Sequence, residues 1–152
     1  MNASSLPKLL VGVLLAGLPA ASFAADFTTP ENAIRSLEAA YIDEDLEAAV
    51  AAKDFTEEAR LMLLSINAEF SKDPDLIGKT ANVLELSFRK EMKESGFPDF
   101  GGLKCSLGEP EEVTATLVKV VERCVSPDGN ATVEDIHVFN GAEGWRVVVV
   151  QD

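Results

Sequence analysis

The sequence predicts an α+β fold in which N-terminal helices pack on a curved antiparallel sheet. Apolar residues recur at helical spacing through the first half of the chain, whereas Val, Thr and aromatic residues dominate the second half. The pair Gly101-Gly102 separates the two halves. Helices followed by a run of strands are typical of a layer of helices on one face of a sheet.

Residues 1–24 are interpreted as a cleaved signal peptide. Lys8 precedes the apolar stretch 9–18, and the small residues Ser22 and Ala24 mark a cleavage site after Ala24. As a helix, this stretch would rise only about 15 Å, too short for a bilayer core of about 30 Å, so no stable membrane anchor is expected. We expect residues 25–152 to form a single periplasmic or secreted domain.

The composition excludes several classes of function. The 152 residues include 26 Asp and Glu but only 13 Lys and Arg, a net charge of −13, which argues against nucleic acid as a partner. One His and two Cys cannot build a His-rich or Cys-rich metal site, and no phosphate-cradling glycine loop is present. We therefore expect neither a metal nor a cofactor.

Cys105 and Cys124 are the two cysteines of the chain. An even number of cysteines in a small exported protein favours a disulfide, and closing a loop of this length contributes about 3 kcal/mol. Two buried free thiols are the alternative.

The first helix begins near Pro30. Either Thr28 and Glu31 form a capping box, or Thr29 caps a helix whose first residue is Pro30. Apolar residues then follow at helical spacing on one face, namely Ala33, Ile34, Leu37, Ala40 and Tyr41.

The acidic cluster Asp43-Glu44-Asp45 ends this first helix. Asp43 or Asp45 is predicted to cap a short second helix over residues 46–53. The helix dipole favours acidic side chains in the first turn of such a helix. A cation site is the competing interpretation, although the glycine and distal glutamate of an EF-hand loop are missing.

Two further helices are predicted before the glycine pair. Thr56 opens the third helix, and Asp73-Pro74 opens a long fourth helix that ends near Ser95 with Gly96 as its C-terminal cap. Their apolar faces are Ala59, Met62, Leu63, Ile66 and Phe70 in the third helix, and Ile77, Ala81, Leu84, Phe88 and Met92 in the fourth.

Four strands are predicted over residues 103–107, 113–125, 133–139 and 145–150. The long second strand changes the parity of its apolar residues near Leu117, so a bulge or a strong bend is expected there. The last strand is apolar at both parities, which predicts that it is covered on both sides.

Two segments carry a resemblance to a known family. Residues 29–50 resemble the opening of nuclear-transport-factor-2-like (SnoaL-like) domains of the exported bacterial type, and the run Trp145-Arg146-Val147-Val148 resembles their closing strands. The resemblance implies a cone of helices against a bent sheet, with a pocket open at one end. It also implies that the outer face of the sheet often forms a homodimer interface.

Enzymes of this fold place an acid or base inside the pocket. His137 is the only imidazole, and Asp135, two residues earlier on the same strand face, would orient it as a dyad, with Tyr41 as a further candidate. The alternative is that Ile136 and Val138 face the core, which leaves the dyad facing water or a partner.

Four side chains are candidates for binding a ligand, each with a packing role as the alternative: Tyr41, Phe88, Trp145 and Arg146. The leading hypothesis is an exported binding or interaction module that holds a small apolar ligand or a protein partner. One alternative is an isomerase- or dehydratase-type enzyme using His137 with Asp135. The other is an acidic inhibitor or immunity-type partner of a basic exported protein.

Overall fold

The protein is described by a computed structural model over residues 24–151. The predicted signal peptide lies outside the described residues except for Ala24. No described helix is both long and apolar enough to cross a membrane. The elements are α1 (Pro30–Ile42), α2 (Leu46–Ala51), α3 (Phe55–Ile66), a 3₁₀ turn (Phe70–Lys72), α4 (Pro74–Ser95), β1 (Lys104–Leu107), β2 (Glu111–Thr114), β3 (Leu117–Val125), β4 (Ala131–Gly141) and β5 (Gly144–Val148).

The strands form one antiparallel sheet in the order β1-β3-β4-β5. β2 also pairs with β3, so that β1 and β2 share the β3 edge that faces away from β4. The helices pack against this curled, half-barrel sheet, which confirms the predicted α+β architecture.

The concave face of the sheet is set by alternation along β3 and β4. Val120 pairs with Ile136, and Val138 pairs with Val147, so these side chains share one face. Helix α1 covers that face, and the buried core there consists of Ala33, Ile34, Val120, Val138 and Val147. A second cluster joins α3 to α4 around Phe55, Ala59 and Ala81.

Side-chain caps begin each α-helix. Thr29 Oγ1 accepts a hydrogen bond from the Asn32 amide at 3.2 Å, so the register with Pro30 as the first helical residue is the correct one. Thr28 binds the carboxylate of Asp26 instead of forming a capping box. Asp45, Asp54 and Asp73 cap α2, α3 and α4 in the same way.

The predicted long strand over residues 113–125 is wrong as a single element. The chain reverses between β2 and β3, and the Thr114 hydroxyl accepts hydrogen bonds from the amides of Thr116 and Leu117. The parity change near Leu117 therefore marks a β-hairpin, and the β2–β3 pairing also shifts register between Glu112 and Thr114.

Three predicted core positions are exposed. Ile66 is 67% exposed and Phe70 is 42% exposed, because α3 ends at Ile66 and the chain turns before α4. Val149 is 45% exposed, so the last strand is covered on both sides only as far as Val148.

The outer edge of β5 is covered by the link between α2 and α3. Val147 donates its amide to the Ala52 carbonyl and accepts from the Asp54 amide. Gly144, which starts β5, has φ +98°, and a Cβ there would lie 2.6 Å from the Phe27 carbonyl oxygen. Only glycine fits this close approach.

Cys105 and Cys124 form a disulfide, which confirms the sequence prediction. The two residues lie directly opposite each other in the β1–β3 register and are 19 positions apart in sequence. A disulfide is consistent with folding in an oxidising compartment.

Replacing both cysteines by serine is expected to lower the free energy of unfolding by about 3 kcal/mol, because the unfolded chain regains the freedom of the closed loop. Urea denaturation of the oxidised wild type and the double variant measures the difference. A reductant should bring the wild type to the stability of the variant and leave the variant unchanged. Equal stability of the oxidised and reduced wild type would contradict the prediction.

Candidate functional site

A cavity of about 550 Å³ lies between α1, the concave face of the sheet and the loop that follows α4. Its volume is that of a typical small-molecule site. The lining residues come from α1 (Ile34, Leu37, Glu38, Tyr41), from Lys53, from the loop (Pro98, Asp99, Phe100, Leu103), from β3 (Glu122, Cys124), from β4 (Thr132, Glu134, Asp135, Ile136, His137) and from the C-terminal segment Val147–Val150.

Helix α1 presents one continuous face to this cavity. Ile34, Leu37, Glu38 and Tyr41 follow the i, i+3, i+4, i+7 spacing that places side chains on one side of a helix. The apolar wall and the polar groups of the cavity are therefore held by the same rigid element.

Glu38 and Glu122 bring two carboxyl groups together beneath this helix face. Glu122 lies on the concave side of β3 and is only 7% exposed, and its carboxyl is within hydrogen-bonding reach of Glu38. Arg35 donates from Nη1 to Glu38 Oε2 at 2.7 Å. Within residues 24–151, the Oε1 atoms of both glutamates are buried without a hydrogen-bond partner.

This arrangement favours the neutral form of Glu122. Burial, together with the neighbouring Glu38, raises the pKa of the Glu122 carboxyl from 4.5 to about 8. The pair therefore holds a proton near neutral pH. A carboxyl that stays protonated in a cavity can donate a hydrogen bond to a ligand.

Tyr41 and Phe100 form an aromatic wall. Their rings stack with centroids 6.2 Å apart, and both residues line the cavity. Burial raises the pKa of Tyr41 to about 12, with Glu91 and Glu58 adding to the effect, so its hydroxyl remains a hydrogen-bond donor. The structure thus places Tyr41, a candidate from the sequence, at the cavity.

A buried ion pair closes another part of the cavity. Lys53 Nζ lies 3.2 Å from Glu58 Oε2, and the two side chains are 7% and 9% exposed. The ammonium also lies 5.4 Å from the ring centroids of Phe55 and Phe88. Glu58 Oε2 accepts a hydrogen bond from the Val149 amide at 3.2 Å, which ties the C-terminal segment to α3.

His137 and Asp135 lie on the other side of the sheet from Glu122. Ile136 packs against the core and Val138 is fully buried there, so alternation turns the two candidates to the outer face. Both residues nevertheless line the cavity, at the part of β4 where the pairing with β5 begins with His137. Asp135 forms an ion pair with Lys119 at 3.4 Å, and no hydrogen bond joins it to His137 in the described part of the chain.

The remaining ligand-binding candidates do not line this cavity. Phe88 packs against the α3–α4 cluster, and Trp145 packs against the core beneath α1. Arg146 donates from Nε to the Ala51 carbonyl at 2.7 Å, and its guanidinium lies 3.5 Å from the ring centroid of Phe27. All three have structural contacts that account for their positions.

Sequence reasoning missed Glu38 and Glu122. Both follow the periodicities that define the core: Glu38 lies four residues after Ile34, and Glu122 lies two residues after Val120. One Glu122 oxygen also lies within 4.8 Å of the sulfurs of Cys105 and Cys124, but disulfide sulfurs are not thiolate ligands for a metal.

The Glu122 carboxyl makes stability depend on pH. Because its pKa is raised on folding, the folded protein binds more protons than the unfolded chain between about pH 4.5 and pH 8. The free energy of unfolding is therefore expected to fall as pH rises through this window, by up to about 1.4 kcal/mol per pH unit. Urea denaturation across the window measures the slope.

Glu122→Gln, which is neutral at every pH, is expected to flatten that slope. The matched control is Glu112→Gln on β2, which makes the same substitution at an exposed position. The control should keep the wild-type slope. Equal slopes for all three proteins would show that Glu122 does not hold the proton.

Removing Lys53 alone is expected to lower the free energy of unfolding more than removing both members of the Lys53–Glu58 ion pair. Lys53→Met leaves Glu58 buried without its counter-ion and should lower the free energy of unfolding by about 3 kcal/mol or more. The double variant Lys53→Met/Glu58→Gln should recover part of this loss, which urea denaturation of the four proteins in the cycle would measure. Additive effects of the two substitutions would contradict the coupling.

Comparison of the chain with protein families, with curated proteins and with solved structures finds no match.

Proposed function

We propose that this protein is an exported binding module that holds a small ligand in the cavity between α1 and the concave face of the sheet. The observation that carries the proposal is the cavity itself, about 550 Å³, whose walls combine apolar side chains with carboxyl groups from α1, β3 and β4. Cavities of this size are typical of small-molecule binding.

The proposed location outside the cytoplasm rests on two features. The first 24 residues have the pattern of a signal peptide, and the cysteines form a disulfide. The layout of helices on a curled sheet is consistent with the proposed relation to nuclear-transport-factor-2-like domains.

The placement of His137 and Asp135 favours binding over catalysis by that pair. Both side chains belong to the outer face of β4, and Asp135 is engaged by Lys119. A homodimer through the sheet face, and a basic protein partner for this acidic chain, stay predictions.

Nile red, an uncharged apolar dye that fluoresces outside water, tests the cavity directly. The wild type is expected to bind it saturably with one site per chain. Thr132→Trp places a bulky ring on the cavity side of the free edge of β4 and is expected to block binding. Fluorescence titration measures both affinities.

The matched control is Val133→Trp, which places the same ring on the opposite face of the same strand, where Val133 is 62% exposed. This variant should bind Nile red as the wild type does. No saturable binding to the wild type, or equal binding to both tryptophan variants, would overturn the proposal.

A further inference from the structure

We propose that the ligand of this cavity is a small organic cation, an ammonium group on an apolar body, with the ammonium held between Glu122 and Glu38. The inference rests on the proposed binding function and names the chemical class of its ligand.

The first argument is the unmet hydrogen bonding of Glu122. This side chain lines the cavity and is 7% exposed, and within residues 24–151 its Oε1 atom has no donor. The neighbouring Glu38 also has an Oε1 atom without a donor in these residues. A buried carboxyl oxygen without a donor needs a proton or a cation beside it, and an ammonium group supplies three donors and a full positive charge.

The second argument is the charge around the cavity. Arg35 forms an ion pair with Glu38 at 2.7 Å, and Lys53 forms one with Glu58 at 3.2 Å. Both of these cations therefore already have a counter-ion. Glu134, which lies opposite Glu122 in the β3–β4 register, adds an exposed carboxyl to the lining. The carboxylates of the lining would repel an anionic ligand and attract a cationic one.

The third argument is the aromatic wall. The stacked rings of Tyr41 and Phe100 both line the cavity, and the faces of aromatic rings attract ammonium groups. The apolar side chains of Ile34 and Ile136 lie on the same cavity and would contact the body of the ligand.

Binding would exchange the ammonium ion for the proton of Glu122. The neutral acid and the ammonium ion give an ion pair, and one proton leaves to solvent. The charged groups that act on Glu122 are Glu38 and Arg35 on α1 and Glu134 on β4, while β1 places Leu107 opposite it and a disulfide-bonded cysteine nearby. Since burial raises the pKa of Glu122 to about 8, affinity for the cation should rise with pH up to that value.

The test compares 2-phenylethylamine with 2-phenylethanol and 3-phenylpropionate, which share an apolar body and differ in the charge of the head group. Isothermal titration calorimetry near pH 8 is expected to show the amine binding at least about tenfold more tightly than the alcohol, as a charge-assisted hydrogen bond would require. Titrations in two buffers of different ionisation enthalpy should show proton release on binding the amine below that pH.

Glu122→Gln is expected to remove the preference, so that the amine and the alcohol bind within about twofold of each other. It should also remove the pH dependence of amine binding. The control Glu112→Gln should keep the wild-type preference. If Nile red binds but the amine has no advantage over the alcohol, or the propionate binds best, this inference is overturned while the binding function stands.

Discussion

The fit of α1 onto the concave face of the sheet is the constraint on which the site depends. Ala33 and Ile34 are 0% and 2% exposed against the core of the sheet, so the rotation of the helix about its axis is fixed. With 3.6 residues per turn, Glu38 must then point to the same side one turn later. Glu122 follows Val120 on the inner face of β3. Burying the apolar residues therefore brings the two carboxyl groups together.

The approach of these two carboxyl groups is unfavourable for the stability of the folded domain. Two carboxylates cannot both stay charged away from water, and apolar side chains of similar size would often stabilise such a position more. The structure offsets part of this cost, because Arg35 donates a hydrogen bond to Glu38 and burial keeps the Glu122 carboxyl neutral. A costly polar pair on the wall of a cavity supports the proposed ligand site, because it adds nothing to the stability of the domain.

The helices could be predicted from sequence because their signals are local. Aspartate caps at Asp45 and Asp73 and the glycine at Gly96 act within a few residues, and the structure uses each of them at a helix end. The β2–β3 hairpin could not be found in the same way, since its turn contains neither Gly nor Asn and depends on the hydroxyl of Thr114.

The carboxyl pair of Glu38 and Glu122 could be predicted only in part from the sequence. Alternation from Val120 does place Glu122 on the inner face, and helical spacing from Ile34 does place Glu38 toward the sheet. Neither periodicity shows that Glu38 and Glu122 lie at the same level along the sheet, because that depends on how α1 lies across β3 and β4. His137 is the opposite case: as the single histidine it is easy to identify from the sequence, but its strand position turns it outward.

The disulfide lies next to the costly carboxyl, and the two features are connected physically. Cys124 follows Glu122 on the same face of β3 and is bonded to Cys105, which holds β1 against that strand. In the same pairing Leu107 lies opposite Glu122 and helps to keep it from water. Closing the loop contributes about 3 kcal/mol, which is of the order of the penalty for burying a carboxyl group. An oxidising compartment therefore stabilises the strand that carries Glu122, so the proposed export and the proposed cation site depend on the same bond.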